Sequence, residues 1–246
     1  MAESATLSDE SNRKLLVLPT YMIANDSRHT EVATVSDESS GDLRDASNVL
    51  VLAPNVADAG IDACTDLLLD ATDRVDRLVV VAVGTRPSEW HGRLTDGAVG
   101  SLAPVRYVDV RTLVRSTSAE EHSGDDVPVP VATISSPADL LTLGRSINSL
   151  LSDAADDGDR VALCVHSISE MLQFVDREFL FKFLHAVSAR VRSVGGVAFY
   201  HLDNDAPDEE LRIMFSHLCD TVATFEGEQM EVSAGYYAPA GEGSET

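Results

Sequence analysis

VALCVHSISEML, residues 161–172, begins with five apolar residues in a row and ends that run at a histidine, His166. An unbroken apolar run of this length, preceded by the turn residues DDGD (156–159), reads as a strand buried on both faces, the pattern of a parallel sheet. Strands of that kind in α/β proteins commonly present an acidic residue where they end. This one presents an imidazole, followed by Ser167, Ser169 and Glu170.

Working outward, the same pattern recurs. NVLVLA (48–53), RLVVVAV (77–83) and VRYVDV (105–110) lie upstream, with VPVPVATI (127–134) extended. VAFYHL (197–202) and a closing TVATFEG (221–227) lie downstream. Helical spacing fills the gaps: Ile61, Cys64, Leu67 and Leu68; then Leu140, Leu143, Ile147, Leu150 and Leu151; then Phe179, Leu180, Phe183, Leu184, Val187 and Val191. Ser136 is placed to cap the second of these helices, with Pro137 at its first position and Asp139 where a capping box wants an acid. A further helix is expected around 207–217, whereas PSEWHGR (87–93) reads as a loop. Strands alternating with amphipathic helices predict an α/β fold, a mostly parallel sheet covered by helices on both faces.

Three regions are expected. Residues 1–46 form a polar extension with a short strand-like segment, LLVLP (15–19), and an acidic linker over 25–47. Residues 47–232 form the α/β domain, and 233–246 a loose tail rich in Gly, Ala and Glu. No internal repeat is visible.

The chain carries 41 acidic and 18 basic residues, a formal charge of −23, and its only lysines are Lys14 and Lys182. A field this negative disfavours nucleic acid and anionic lipid. It resembles the carboxylate-rich, lysine-poor surfaces of halophilic archaeal proteins, for which molar salt shortens the Debye length to about 3 Å, with an acidic surface made for a partner as the other reading. No window approaches the roughly 18 apolar residues of a membrane span, and the polar start MAESATLSDESNRK is no secretory signal. A cytoplasmic location is expected. Cys64, Cys164 and Cys219 are far apart and form no CxxC pair, so neither a disulfide framework nor a zinc knuckle is indicated.

VALCVHSISEML, the helix through FKFLHAVSARVR, VAFYHLDNDAPDEE and TVATFEG together resemble the C-terminal half of a RecA/KaiC-like P-loop ATPase domain. More narrowly, residues 48–226 resemble haloarchaeal proteins related to KaiC and GvpD. The echoes are Arg115-Ser116, Ser136-Pro-Ala-Asp-Leu140 with Leu143-Gly144, and Leu172-Gln173-Phe174. The resemblance implies a P-loop after the first strand, a Walker B aspartate at the end of the strand in question, and an acid closing the second strand.

None of the three is present. A P-loop needs G-x-x-x-x-G-K-[ST], because backbone N–H groups cradle the phosphates and the lysine neutralises them. APNVADAGIDAC (53–64) has one glycine, no lysine and two acids, Asp58 and Asp62. His166 stands where the resemblance puts the magnesium aspartate, and neutral imidazole is a poor magnesium ligand beside a carboxylate. The second strand ends Gly84-Thr85-Arg86, with Glu89 too far along to activate water. The expectation is a degenerate P-loop fold, a pseudo-ATPase without cofactor, acting as a regulatory or scaffold protein through a protein partner or as a homo-oligomer. LLVLP on its tether suits strand addition to a neighbour.

Two other readings stay open. A sensor would bind nucleotide or another small molecule without hydrolysis, with Arg86, Arg111 or Arg115 meeting a phosphate. An enzyme with a rebuilt metal or acid–base site would use His166, His201 and Asp203, with Glu170 nearby, if their strands are neighbours. Ser167 and Ser169 lack a G-x-S-x-G elbow and read as helix caps rather than nucleophiles. His185 reads as a packing residue. Trp90, the only tryptophan, reads as packed on the sheet edge or, with His91 and Arg93, as a partner anchor.

Overall fold

A computed structural model describes residues 43–54, 59–97, 103–112, 130–204, 209–227 and 229–235. LLVLP, Asp58, Arg115, the acidic stretch 116–128, Asp205, Pro207 and the chain from 236 lie outside the described residues. Eight strands form one sheet: β1 (Asn48–Ala53), β2 (Arg77–Val83), β3 (Val105–Val110), β4 (Ala132–Ile134), β5 (Val161–His166), β6 (Val197–Asp203), β7 (Thr221–Glu226) and β8 (Gln229–Ala234). Their order across the sheet is β4-β3-β2-β5-β6-β1-β7-β8. Every pairing is parallel except β7 with β8. The continuous apolar strands are buried as their composition requires, with all six residues covered in both β1 and β5.

The helices are α1 (Ala59–Ala71), α2 (Pro87–Gly97), α3 (Leu140–Asp157), the single turn α4 (Ile168–Met171), α5 (Arg177–Ser193) and α6 (Glu209–Ser216). Each face of the sheet has its own core. Ile61, Cys64, Leu68, Trp90 and Leu94 of α1 and α2 pack with Val49, Val51, Cys164 and Phe199. Leu143, Ile147, Leu180, Leu184 and Phe215 of α3, α5 and α6 pack with Leu50, Val79, Leu163 and Tyr200 on the other face. Among the described residues, no helix is long and apolar enough to cross a membrane.

Four local expectations are corrected. Helix α3 starts at Leu140 rather than at Ser136. Asp139 is its cap, accepting a bond from the Thr142 N–H at 3.1 Å, while Ser136 Oγ closes a separate turn with the Ala138 N–H. The segment PSEWHGR is helical, with Pro87 in the first position, which its fixed φ favours. Phe179, placed on the buried stripe of α5, is two-thirds exposed, and His185 is exposed with its ring 6.3 Å from Phe181. Strand β8 went unread because QMEVSA alternates polar residues along a sheet edge and buries only Val232. Gly227, at φ +64, supplies the positive dihedral that starts the tight return from β7.

Candidate functional site

Ligands of open α/β sheets bind beyond the carboxyl ends of the strands. There β5 and β6 are neighbours, with Cys164 opposite Phe199 and Val165 opposite Tyr200. The next step of that register sets His166 beside His201. Side chains alternate along a strand, and Cys164 and Phe199 both face α1, so both imidazoles do too. Their rings stack, with centroids 4.5 Å apart and planes 10° from parallel. Trp90 meets His166 edge-on at 5.3 Å, and its indole N–H donates to Thr85 Oγ1 at 3.2 Å. His166 is 2% exposed, and His201 and Trp90 are fully buried.

Helix α1 begins directly over this pair. A Cβ on Gly60 would lie 2.5 Å from His201 Nε2 and 3.3 Å from His166 Nε2, so only glycine lets the helix approach so closely. His201 Nε2 lies 3.1 Å from the Ala53 carbonyl, which can only accept, so Nε2 carries the proton. Both nitrogens of His166 and Nδ1 of His201 find no hydrogen-bond partner among the described residues.

The electrostatics follow from burial. His166 is pushed down to about 3, first by desolvation and then by His201. His201 is also lowered by burial, against the opposing pull of the Ala53 carbonyl and Asp203. Both rings are therefore neutral near pH 7. The peptide joining His166 to Ser167 is cis.

The structure stacks His166 on His201, and Asp203, the third residue of the rebuilt-metal reading, acts on His201 through its charge from two residues along β6. Asp203 sits at the end of β6, its N–H donating to Ser169 Oγ at 2.9 Å. Glu170 instead faces the end of β2, with Oε2 3.6 Å from where a Gly84 Cβ would be. Stacked rings aim their in-plane lone pairs side by side rather than at one point. No group of three or more His, Cys, Asp or Glu able to hold a metal exists among the described residues. Ser167 Oγ caps α4 by accepting from the Glu170 N–H at 3.4 Å, so both serines act as local acceptors.

Of the candidate arginines among the described residues, Arg86 follows the end of β2 and Arg111 the end of β3. Arg86, half-buried, follows Gly84 (φ +73), and its carbonyl accepts from Glu89 and Trp90 at the start of α2. Glu89 Oε2 accepts from the Arg86 N–H at 3.4 Å. Arg111 Nε donates to Asp109 Oδ2 at 3.2 Å, which commits its charge to a buried carboxylate. Asp109 and Gly60 are the site residues that sequence reasoning missed. The first was visible as an acid in the buried half of VRYVDV, the second as a lone glycine opening an apolar helix.

Two clefts open elsewhere. One of about 640 Å³ lies between α1 and α2 along Asp62, Asp66, Glu89 and Asp96. The other, about 590 Å³, lies beside α6 over Leu50, Leu52 and Val222. Neither is lined by the histidines.

Comparison with solved structures agrees with this architecture. An uncharacterized protein from Pyrococcus horikoshii, solved in complex with an unknown peptide, matches 76% of this chain and 81% of its own at 12% identity and a TM-score of 0.50. A KaiC-like protein from Pyrococcus horikoshii OT3 matches 78% and 81% of the two chains at 8% identity and a TM-score of 0.47. A type III secretion system ATPase of pathogenic bacteria matches 74% of this chain and 51% of its own at 15% identity and a TM-score of 0.45. No curated protein matches the sequence. At these identities the likeness is one of fold alone, a mostly parallel α/β sheet covered by helices. Residues 46–225 match the model of a family of unknown function, DUF7504, and the chain belongs to that family.

Proposed function

We propose that this protein is a RecA/KaiC-like domain that does not hydrolyse ATP in the conventional way and works by binding a protein partner, as a regulatory or scaffold subunit. The observation that carries this reading is the state of His166. The end of β5, where the resemblance puts a magnesium-holding carboxylate, holds a buried neutral imidazole stacked on a second one. Such a ring offers a magnesium ion neither charge nor a free approach. The lysine-free segment between β1 and α1 supports the same conclusion, since nothing there neutralises a triphosphate.

The test is phosphate release from ATP and GTP with magnesium, by the purified full chain in about molar KCl. The expected result is release no faster than without protein. Magnesium-dependent turnover by the pure chain would overturn the reading.

A sensor that binds nucleotide without hydrolysis is a second reading, supported by Arg86. It stands at the rim of β2, and its guanidinium has no ion-pair partner among the described residues. A nucleotide at 100 times its dissociation constant adds about 2.7 kcal/mol of stability. No melting shift with millimolar nucleotide would remove this reading.

A further inference from the structure

Exposed large apolar side chains are few on the described surface, and two of them lie on neighbouring helices. Leu141 on α3 is 65% exposed and Phe179 on α5 is 66% exposed. The two helices run parallel, because Gly144 lies against Phe183 and, further along both, Ser152 Oγ accepts from Arg190 Nη2 at 2.9 Å. A Cβ on Gly144 would come within 3.1 Å of the Phe183 ring, so the glycine lets the helices pack closely along the groove between them. Leu141 and Phe179 lie three and four residues before that contact, one on each wall.

Each wall then places a cation one turn on. Lys182, one of the two lysines in the chain, sits with its ammonium 5.6 Å from the centre of the Phe179 ring. Arg145 follows Leu141 by four residues and is exposed. A chain of charge −23 therefore carries, on two adjacent helices, a matched pair of ridges, each apolar first and cationic second.

We propose that this groove docks an amphipathic, acidic segment of a partner protein. Apolar side chains would settle between Leu141 and Phe179, and carboxylates would meet Arg145 and Lys182. The proposal rests on the reading of the domain as a binding module and names the surface and the partner's chemistry. In molar salt the apolar contact supplies the affinity, while charges at contact distance fix orientation.

The test uses the full chain and two synthetic helical peptides about four turns long. One carries a leucine stripe flanked by glutamates, the other the same stripe flanked by lysines. Titration in about molar KCl should show micromolar binding of the glutamate peptide, weakened roughly tenfold or more by Phe179→Ser or Leu141→Ser. Arg145→Glu combined with Lys182→Glu should move the preference to the lysine peptide. All four positions are exposed, and unchanged melting of each variant confirms its fold.

Equal binding of both peptides, or binding indifferent to these substitutions, would overturn the proposal, as would failure of the wild type to bind either. A fall in solution mass with Phe179→Ser would assign the face to a second copy of this chain and overturn the acidic partner. ATP turnover, measured separately, decides the non-hydrolytic reading alone, so the two can fail independently.

Discussion

His166 and His201 stack face to face across neighbouring strands, 4.5 Å apart, beneath a helix that only glycine allows so near. Buried imidazoles in this arrangement form a neutral plug at the carboxyl end of the sheet. What that plug does to stability can be measured directly.

The first consequence is a dependence on pH. Histidines of the unfolded chain protonate near 6.5, whereas both of these are lowered in the folded chain, His166 to about 3. Below 6.5 the unfolded state therefore binds protons that the folded state refuses, and folding weakens by up to about 1.4 kcal/mol per pH unit for each histidine. Their contribution is complete above about 6.5 and declines as pH falls toward 3. Melting measured from about pH 7.5 to 5.5, above the carboxylate range, should show the drop. His166→Asn should flatten it, and an unchanged slope would show that the ring is not held neutral by burial.

A Cβ at Gly60 has no room. Gly60→Ala should cost about 1–3 kcal/mol despite the better helix propensity of alanine, a loss of several degrees in a chain of this size. His201→Ala should relieve the clash, so the double substitution should cost less than the sum of the single ones. Additive costs in thermal unfolding would mean that the helix does not rest on the ring.

Trp90 closes the third side of the pair. Because it is the sole tryptophan and fully buried, the native emission should be blue-shifted and should move red in a single step with denaturant. Trp90→Ala should cost about 3–5 kcal/mol in the same experiment. Red-shifted emission from the native protein would place the indole in water.

The interaction reading also makes a prediction about the N-terminal run LLVLP. Deleting residues 1–24 should lower the oligomeric state through loss of strand addition to a neighbouring chain. Solution scattering of the full-length and shortened proteins measures this, and an unchanged mass would remove the segment from assembly.

Much of the fold was legible because buried parallel strands are written as unbroken apolar runs. β1, β2, β3 and β5 coincide with the runs NVLVLA, RLVVVAV, VRYVDV and VALCVH. Trp90 and its neighbours were misread as a loop because Pro87, Gly92 and His91 mask the helical period, although Leu94 completes the buried face. β8 was missed because an edge strand needs only one covered face. Phe179 was placed inside by periodicity alone, whereas the width of the buried stripe depends on how α3 sits beside α5.

The sequence by itself determined the α/β class and the lack of a lysine or a run of glycines after the first strand. Those properties follow from local composition and spacing, which no packing can alter. Only the tertiary structure decided that His166 and His201 share a face and stack and that Gly60 rests on both. Those relations depend on strand order and register, which join residues 35 and more than 100 positions apart in the chain through backbone pairing that no local pattern records.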